Sequence, residues 1–534
     1  MAALLELQDL RVAYPATGTS SAASFVVDGV SFRLAAGERL GLVGESGCGK
    51  STLGKAILHL LPKGSLVEGE ILLAGQSLSR LGPRELRRLR GEQVGLVFQD
   101  PMTRLNPLMS VYDHCDELLR SHWPQMRGRS RRQRIVETLE TVKIPASRLY
   151  QYPHEFSGGM RQRVAIALAL LLDPQLIIAD EPTTALDVTV AADILDELSR
   201  LCQERQMGLL LISHDLAMMG RYCDRLAVMY QGRIVEMDQA TNVLSAPQHS
   251  YTQSLLQAAQ PHPLTTPDPL REAAPPLVEV QHLQRHYRLG GWLQPKTIIP
   301  AVDGVDLCLR RGETLGLVGE SGCGKSTLSR LILQLIPATA GEVVFLGQAL
   351  SQLSPQDLRA ARRNFQMVFQ DPHACLNPKM TVGENLLEPL LIHRLFEGAA
   401  AEQRVLEMLT QVELTPSRDY YHRYPYALSG GQRQRVAIAR ALITQPQFVV
   451  CDEPVSMLDA HIQRQILTLM QQLKARLQLT YLFITHDLGV ARDFCDRIAV
   501  MHAGKIVELA PTATLFAQPQ HPYTQKLLAA VPTL

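Results

Sequence analysis

Short apolar runs that end in polar residues recur along the chain and predict buried strands. One run, "ERLGLV", precedes a glycine-rich loop, two others end in acidic pairs ("LIIADEP" and "FVVCDEP"), and two end at histidines ("LLISHDL" and "LFITHDL"). After the loop, Leu53 and Ile57 recur at helical spacing until Pro62 ends the pattern. The run "VAIALALLL" from Val164 stops before a proline and predicts a buried helix. The sequence therefore predicts polar groups at the ends of buried strands.

The whole pattern occurs twice. The thirteen residues "GLVGESGCGKSTL" begin at Gly41 and again at Gly316, and the acidic pairs and histidines keep nearly the same spacing from them. A repeat that spans about half of the chain indicates two copies of a domain rather than a solenoid of short repeats. The proline-rich stretch "AAQPHPLTTPDPLREAAPP" between the copies resists helix and strand. We therefore predict domains at 1–258 and 277–534, joined by a linker at 259–276.

Composition excludes several classes of protein. Lys and Arg number 53 against 52 Asp and Glu, so no basic excess indicates a nucleic-acid partner. No stretch has the roughly 18–20 apolar residues of a membrane helix, and the N-terminus does not resemble a signal peptide. The 9 cysteines form no C-x-x-C pair, which argues against a zinc site or a disulfide framework. These features predict a cytosolic protein.

The repeated loop fits G-x-x-x-x-G-K-[ST] between a strand and a helix, the context of a phosphate site. Its glycines let backbone N–H groups point at phosphate oxygens, and the helix N-terminus favours the negative charge. Lys50 would reach the β- and γ-phosphates, and the Ser51 hydroxyl would bind Mg²⁺. The predicted ATP-binding residues of the loops are Gly44, Ser46, Gly47, Cys48, Gly49, Lys50, Ser51 and Thr52, and Gly319, Ser321, Gly322, Cys323, Gly324, Lys325, Ser326 and Thr327.

The acidic pairs supply candidates for a metal ligand and a base. Asp180 and Asp452 end their apolar strands and would hold Mg²⁺. The adjacent Glu181 and Glu453 would activate the attacking water. An isolated Asp-Glu pair is usually only a solvated strand end, but this pair recurs downstream of each phosphate loop.

"FSGGMRQR" from Phe156 and "LSGGQRQR" from Leu428 resemble the signature motif of ATP-binding cassette (ABC) ATPases. The order of motifs in each half also resembles that family. The resemblance implies two tandem P-loop NTPase cassettes, each with an α/β ATP-binding core, an antiparallel β part and a helical signature subdomain. It implies that ATP binds between facing cassettes, with Lys50 opposite the second signature and Lys325 opposite the first.

The resemblance assigns further residues. It implies that Gln99 and Gln370 contact Mg²⁺ or water, that His214 and His486 hold the γ-phosphate, and that Asp187 and Asp459 belong to the D-loops. Tyr14 and Tyr287 would stack on adenine. The signature residues expected to bind ATP are Ser157, Gly158 and Gly159, and Ser429, Gly430, Gly431 and Gln432.

The segments "FQDPMTRLNPLMSV", "FQDPHACLNPKMTV", "PQHSYTQSLL" and "PQHPYTQKLL" resemble dipeptide, oligopeptide, nickel and glutathione importer ATPases, especially the fused double form of Yej-type peptide importers. This implies a motor subunit at the cytoplasmic face of the inner membrane. Its partners would be two transmembrane permease subunits and, through them, a secreted substrate-binding protein. ATP and Mg²⁺ are the expected cofactors, and no iron–sulfur cluster is expected. The alternative is a twin-cassette protein acting on ribosomes, although the short, nearly uncharged linker disfavours it.

Three finer expectations follow. The surface around 99–111 and 370–382 should receive the permeases. Cys48 and Cys323, among loop N–H groups and beside a lysine, should favour the thiolate. Met160 in the first signature lacks the hydrogen-bonding capacity of Gln432 in the second, so the site containing Lys325 should close less tightly.

Overall fold

The computed structural model describes residues 3–15, 25–45, 47–98, 104–183, 186–259, 275–289, 297–456 and 458–530. The chain divides into two compact units. The first comprises Met1–Leu186 and Val190–Gln260, and the second comprises Pro261–Val531 together with Asp187–Thr189. Most of the predicted linker, 260–274, lies outside the described residues, so its form stays a prediction.

The first unit has strands and helices in alternation. Its strands are β1 (Ala3–Ala13), β2 (Phe25–Ala35), β3 (Arg39–Val43), β4 (Leu66–Leu73), β5 (Gln76–Ser77), β6 (Val94–Val97), β7 (Leu176–Asp180), β8 (Gly208–Ser213), β9 (Arg225–Tyr230) and β10 (Arg233–Gln239). Its α-helices are α1 (Lys50–Ile57), α2 (Pro83–Arg88), α3 (Val111–His122), α4 (Gly128–Thr141), α5 (Gly158–Leu170), α6 (Val188–Glu204), α7 (Leu216–Tyr222), α8 (Ala240–Ser245) and α9 (Ser250–Ala259).

The second unit repeats this order. Its strands are β11 (Pro276–Leu289), β12 (Thr297–Arg310), β13 (Thr314–Val318), β14 (Ala340–Phe345), β15 (Gln348–Ala349), β16 (Phe365–Val368), β17 (Phe448–Asp452), β18 (Thr480–Thr485), β19 (Arg497–His502) and β20 (Lys505–Pro511). Its α-helices are α10 (Lys325–Ile332), α11 (Pro355–Ala361), α12 (Pro372–Cys375), α13 (Val382–Ile392), α14 (Gly398–Gln411), α15 (Ser417–Tyr421), α16 (Gly430–Leu442), α17 (Ala460–Leu477), α18 (Leu488–Phe494), α19 (Thr512–Ala517) and α20 (Pro522–Ala529).

Two sheets form each unit. In the first unit an antiparallel sheet has the order β2-β1-β4-β5, and a larger sheet has the order β10-β9-β3-β8-β7-β6. The larger sheet is parallel except for the β9–β10 pair. The second unit has the same two sheets, β12-β11-β14-β15 and β16-β17-β18-β13-β19-β20. This confirms the predicted combination of an α/β core and an antiparallel β part.

The larger sheet is buried on both faces, which explains its continuous apolar strands. In β7, Leu176 and Ile178 pack in the core shared with the antiparallel sheet and α1. Ile177 and Ala179, which alternate with them, pack in the core shared with α3, α4 and α5. These helices form the predicted helical part, with α5 beginning at the signature motif. No helix among the described residues combines the length and the apolar character that crossing a bilayer requires.

Parallel strands bring the polar groups to one edge. The neighbours β3, β8 and β7 end at Val43, Ser213 and Asp180 respectively. Ligands of open α/β sheets bind outside the carboxyl ends of their strands. The phosphate loop, the acidic pair and the histidine therefore emerge side by side.

Candidate functional site

The phosphate loop runs from the end of β3 to the start of α1. Gly47 and Gly49 adopt φ values of 84° and 107°, which side chains rarely tolerate. Gly322 and Gly324 adopt 81° and 112° in the second unit. Ser46 lies outside the described residues, but the remainder of the loop has the predicted form, with α1 beginning at Lys50 and α10 at Lys325.

The two loop glycines differ in the space around them. A Cβ at Gly49 would lie 2.6 Å from the carbonyl oxygen of Val26, whereas one at Gly47 would meet nothing within 4 Å. Both alanine variants suffer the positive φ, but only Gly49→Ala adds a backbone clash. We expect Gly49→Ala to cost about 1–3 kcal/mol more folding free energy than Gly47→Ala. Parallel chemical denaturation of the two variants measures this difference, and equal costs would contradict the geometry.

The loop lysine is buried at its centre. Lys50 is 4% exposed, and its Nζ donates hydrogen bonds to the carbonyl oxygens of Gly44 (2.6 Å) and Glu45 (2.8 Å). Lys325 repeats the arrangement with Gly319 (2.6 Å) and Glu320 (3.0 Å). These oxygens carry no net charge, so an anion in the loop would supply the charge that stabilises a desolvated ammonium. This environment suits a phosphate chain.

The first residue after each lysine meets the strand-end aspartate. Ser51 Oγ donates to Asp180 Oδ1 at 2.8 Å, and Ser326 Oγ lies 3.5 Å from Asp452 Oδ1. Burial raises the pKa of both aspartates, so a nearby cation would favour their charged form. A hydroxyl and one carboxylate beside a phosphate loop are ligands typical of Mg²⁺, which keeps few protein ligands when phosphates bind it. The donors therefore fit the predicted ion.

The candidate bases occupy a strained backbone position. Glu181 and Glu453 both have φ of 47°, where glutamate is uncommon. Their backbone N–H groups donate to the carbonyl oxygens of Ile212 (2.9 Å) and Ile484 (3.0 Å), which fixes this turn against the neighbouring strand. The turn carries each side chain away from its strand direction. Strain of this kind is concentrated at functional sites.

Each candidate base contacts the histidine of its own unit. His486 Nδ1 lies 3.1 Å from Glu453 Oε2, and His214 Nδ1 lies 3.5 Å from Glu181 Oε1. Gln370 Nε2 also donates to Glu453 Oε2 at 2.9 Å. The sequence predicted these three residue types for one site, and the structure brings them together in the second unit. Gln99, the first unit's counterpart of Gln370, lies outside the described residues.

These contacts set the charge of the pair. Burial opposes ionisation of Glu453, but the hydrogen bond and charge of His486 outweigh it, so its pKa is lowered. Burial would lower the pKa of His486, but Glu453 raises it. In the first unit the hydrogen bond to Glu181 raises the pKa of His214. The lowered pKa favours the ionised form of Glu453, which is the form that can accept a proton.

Each signature motif begins a helix. Ser157 caps α5 and accepts the N–H of Met160 at 3.4 Å, and Ser429 caps α16 and accepts the N–H of Gln432 at 3.3 Å. The following glycines, Gly158–Gly159 and Gly430–Gly431, form the first turn. A helix N-terminus with small residues can approach and bind a phosphate through its N–H groups.

The two signatures differ where the sequence suggested. Gln432 Oε1 accepts the N–H of Ser429 at 3.1 Å, and its Nε2 donates to the Tyr420 hydroxyl at 3.1 Å. Met160 cannot close such a capping box, and its sulfur instead lies 3.5 Å from Arg148 Nη1. Gln432 therefore gives the second signature two hydrogen bonds within its own unit that Met160 cannot make. Unequal closure of the two ATP sites stays a prediction.

The remaining assigned residues lie at the borders of the same elements. The Tyr14 hydroxyl is 3.0 Å from Thr52 Oγ1 in α1, which holds its ring beside the phosphate-loop helix. Tyr287 is exposed, with the Arg285 guanidinium 4.8 Å from its ring centroid. Asp459 caps α17 by accepting the N–H of Ile462 at 3.0 Å, and Asp187 directly precedes α6. Adenine stacking and the D-loop roles stay predictions.

The expectation of loop thiolates is wrong. Cys48 and Cys323 are buried, and burial raises the pKa of both thiols despite the opposing charges of Lys50 and Lys325. The sequence places the lysines nearby, but desolvation of the sulfur is a property of the packed loop. The raised pKa of both thiols favours their protonated form at neutral pH.

Comparisons with known proteins agree with this geometry. The family model of the ABC transporter matches residues 27–184 and again 302–456. The model of the oligopeptide/dipeptide transporter C-terminal region matches residues 235–282 and 507–534. Both models therefore match twice, and each match to the C-terminal region follows a match to the ABC transporter.

Similar proteins cover the whole chain. The peptidoglycan transport ATP-binding protein YejF of Agrobacterium fabrum is 44% identical, over 99% of this chain and 96% of its own length. The glutathione import ATP-binding proteins GsiA of Pectobacterium atrosepticum and Escherichia coli K12 are 41% and 42% identical, over 99% of this chain and 89% of their own length. A solved structure of the ATP-binding cassette MJ0796 with ADP and Pi covers 44% of this chain and 98% of its own, at 33% identity and a TM-score of 0.40.

The duplicated family match and the full-length relatives lead to one conclusion. Two sheets and a helical part recur in each unit, and each unit holds a phosphate loop, an acidic pair and a signature helix. The chain belongs to the ABC transporter family, as a member with two ATP-binding cassettes that each end in the C-terminal region of oligopeptide/dipeptide transporters.

Proposed function

We propose that the protein is the ATP-hydrolysing motor of an ABC importer, which drives uptake of peptides or related small solutes through separate permease subunits. One observation carries the proposal: in each unit a strand-end glutamate, Glu181 or Glu453, contacts a histidine beside a phosphate loop. A protein that only binds ATP has no need of a duplicated base. The names of the relatives, which include glutathione import and peptidoglycan transport, support the import of small peptides.

Within each unit, different residues bind the phosphates, activate the attacking water and bind Mg²⁺. Lys50 and the loop N–H groups bind the phosphates, and the Glu181 carboxylate orients the attacking water and accepts its proton. His214, which contacts that carboxylate and positions it, would also hold the γ-phosphate. Mg²⁺, bound through Ser51 and Asp180, would neutralise charge on the phosphates. Lys325, Glu453, His486, Ser326 and Asp452 have the same roles in the second unit.

We also propose that each ATP site combines the phosphate loop of one cassette with the signature motif of the other. Ser429 and its glycines would complete the site of Lys50, and Ser157 and its glycines would complete the site of Lys325. In support, both serines cap helices whose first turns offer N–H groups suited to a γ-phosphate. Two cassettes in one chain would therefore guarantee both partners.

We further propose that two transmembrane permeases bind the motor at the cytoplasmic face of the inner membrane, with a substrate-binding protein on the other side. The segment after Gln99 carries Leu108, which is 85% exposed. In the second unit a groove beside 370–382 is lined by Phe369, Ile392 and Arg440, and the first two are exposed apolar residues. Exposed apolar residues beside the ATP site suit a surface that is covered by a partner.

The docking surface can be tested by membrane association. Leu108→Asp places a charge on this surface and should reduce the fraction of the protein that sediments with membranes. Leu66→Asp, on the exposed side of β4, is a matched control and should leave that fraction unchanged. Fractionated lysates probed for the tagged protein give the measurement. Sedimentation of the wild-type protein with ribosomes, and not with membranes, would overturn the proposal.

The alternative role on ribosomes finds no support in the comparisons. The full-length relatives described above are transport proteins by name, and the matched C-terminal region is that of oligopeptide/dipeptide transporters. The importer therefore stands as the proposed function. Uptake assays with peptides, glutathione and nickel would identify the solute.

A further inference from the structure

The closing segments "PQHSYTQSLL" and "PQHPYTQKLL" mark a family in the sequence, but ATP chemistry assigns them no role. The structure places a tyrosine from each beside the phosphate loop of its own unit. Tyr251 lies in α9 and Tyr523 in α20, and both segments lie within the matched C-terminal regions of oligopeptide/dipeptide transporters. The same contact in both units makes an accident of packing a poor explanation.

Each tyrosine hydroxyl accepts a hydrogen bond from the second residue of the loop. The backbone N–H of Glu45 donates to Tyr251 Oη at 3.1 Å, and that of Glu320 donates to Tyr523 Oη at 3.0 Å. Burial raises the pKa of Tyr523, so this hydroxyl stays protonated and neutral. The contact spans 206 residues in the first unit and 203 in the second.

The carbonyl group of each of these loop residues is held by the loop lysine. The Glu45 carbonyl accepts from Lys50 Nζ at 2.8 Å, and the Glu320 carbonyl accepts from Lys325 Nζ at 3.0 Å. Glu45 is therefore fixed through its N–H by the tyrosine and through its C=O by the lysine. The tyrosine thus acts on the residue that also orients the lysine.

The tyrosines are themselves fixed in place. The Tyr251 ring packs on Tyr230 with centroids 4.2 Å apart, and the Tyr523 ring packs on His502 at 4.0 Å. Each closing segment is also tied to a strand, because Glu236 in β10 accepts the N–H groups of Gln248 and His249. Glu508 in β20 accepts those of Gln520 and His521.

We propose that Tyr251 and Tyr523 are positioning residues for ATP, through which the C-terminal region of each cassette holds the phosphate loop in its binding form. The hydroxyl prevents the Glu45 or Glu320 peptide from rotating, so the loop loses less conformational freedom when phosphates bind. The inference rests on the proposed function, since it requires ATP in the loop. It gives the duplicated closing segment a role inside the motor itself.

The variants Tyr251→Phe and Tyr523→Phe, and the double variant, remove the hydroxyls and keep the rings. A neutral hydrogen bond changes an equilibrium by about 2- to 12-fold, so we expect the dissociation constant and the KM for ATP to rise within that range at each altered site. We expect kcat to change much less, because the base and histidine are untouched. Tyr230→Phe is the matched control, since it removes a hydroxyl from the other ring of the same pair.

The full-length protein is titrated with fluorescent ATP, and steady-state hydrolysis and thermal unfolding are measured in parallel. The inference is supported if the KM for ATP rises in Tyr251→Phe and Tyr523→Phe while their unfolding temperature is unchanged. The KM of the control Tyr230→Phe should stay at the wild-type value. An unchanged KM, or a lower unfolding temperature with kcat and KM affected together, would show a purely structural hydroxyl and overturn it. Failure of the wild-type protein to bind ATP would instead overturn the proposed function.

Discussion

Replacing Glu181 or Glu453 by glutamine is expected to suppress steady-state ATP hydrolysis by about 10²–10⁴-fold, the usual effect of losing a general base. Glutamine matches glutamate in shape but cannot accept the proton of the attacking water. Its amide oxygen can still face the histidine, so the strained turn should persist. ATP binding should be retained. Each single variant should therefore accumulate in an ATP-bound state.

We expect each single variant to lose most of its ATP hydrolysis because the two sites are proposed to share one closing step. Phosphate release and retained radiolabelled ATP are measured on the purified protein. Glu140→Gln, at an exposed position in α4, is the matched control and should hydrolyse ATP at the wild-type rate. A near wild-type rate in either base variant would show that its site is dispensable, and would indicate an architecture with one active site.

Replacing Lys50 or Lys325 by methionine is expected to weaken ATP binding at the altered site by about 10- to 100-fold. Each lysine is buried and would give the phosphates charge-assisted hydrogen bonds, which contribute about 1.5–3 kcal/mol. Methionine keeps a similar length and fills the same space. The loss should therefore appear in affinity rather than in folding.

Isothermal titration of each lysine variant with ATP and Mg²⁺ gives the affinity and the number of sites. The wild-type protein should bind two ATP molecules per chain, and each single variant should keep one site of wild-type affinity. Lys63→Met, at an exposed position after α1, controls for the lost charge. Two unaltered sites in Lys50→Met would contradict the assignment of the phosphate loop.

The sequence predicted most of the site because each motif is local. A loop between β3 and α1, an aspartate at the end of β7 and a serine at the start of α5 all follow from short segments. Parallel pairing then brings strand ends together, so the contact between Ser51 and Asp180 follows from topology. The other site residues were assigned from the order of motifs, which occurs in both halves and resembles that of ABC ATPases.

The features that the sequence did not reveal depend on packing between distant segments. The φ of 47° at Glu181 is imposed by the neighbouring strand, because the residue type itself disfavours it. Burial raises the pKa of Cys48 more than the nearby lysine lowers it, and this favours the thiol over the expected thiolate. The contact of Tyr251 with Glu45 joins two ends of a cassette. Only the repetition of the closing segment could have indicated it.

We propose that two hydrolytic ATP sites drive solute uptake. The most direct measurement is uptake of labelled di- and oligopeptides and glutathione by cells whose only copy carries Glu181→Gln and Glu453→Gln. Uptake of at least one of these solutes should be lost, while the protein level and its membrane-bound fraction should stay at wild-type values. Uptake of all of these solutes at the wild-type rate in the double variant would contradict the proposal.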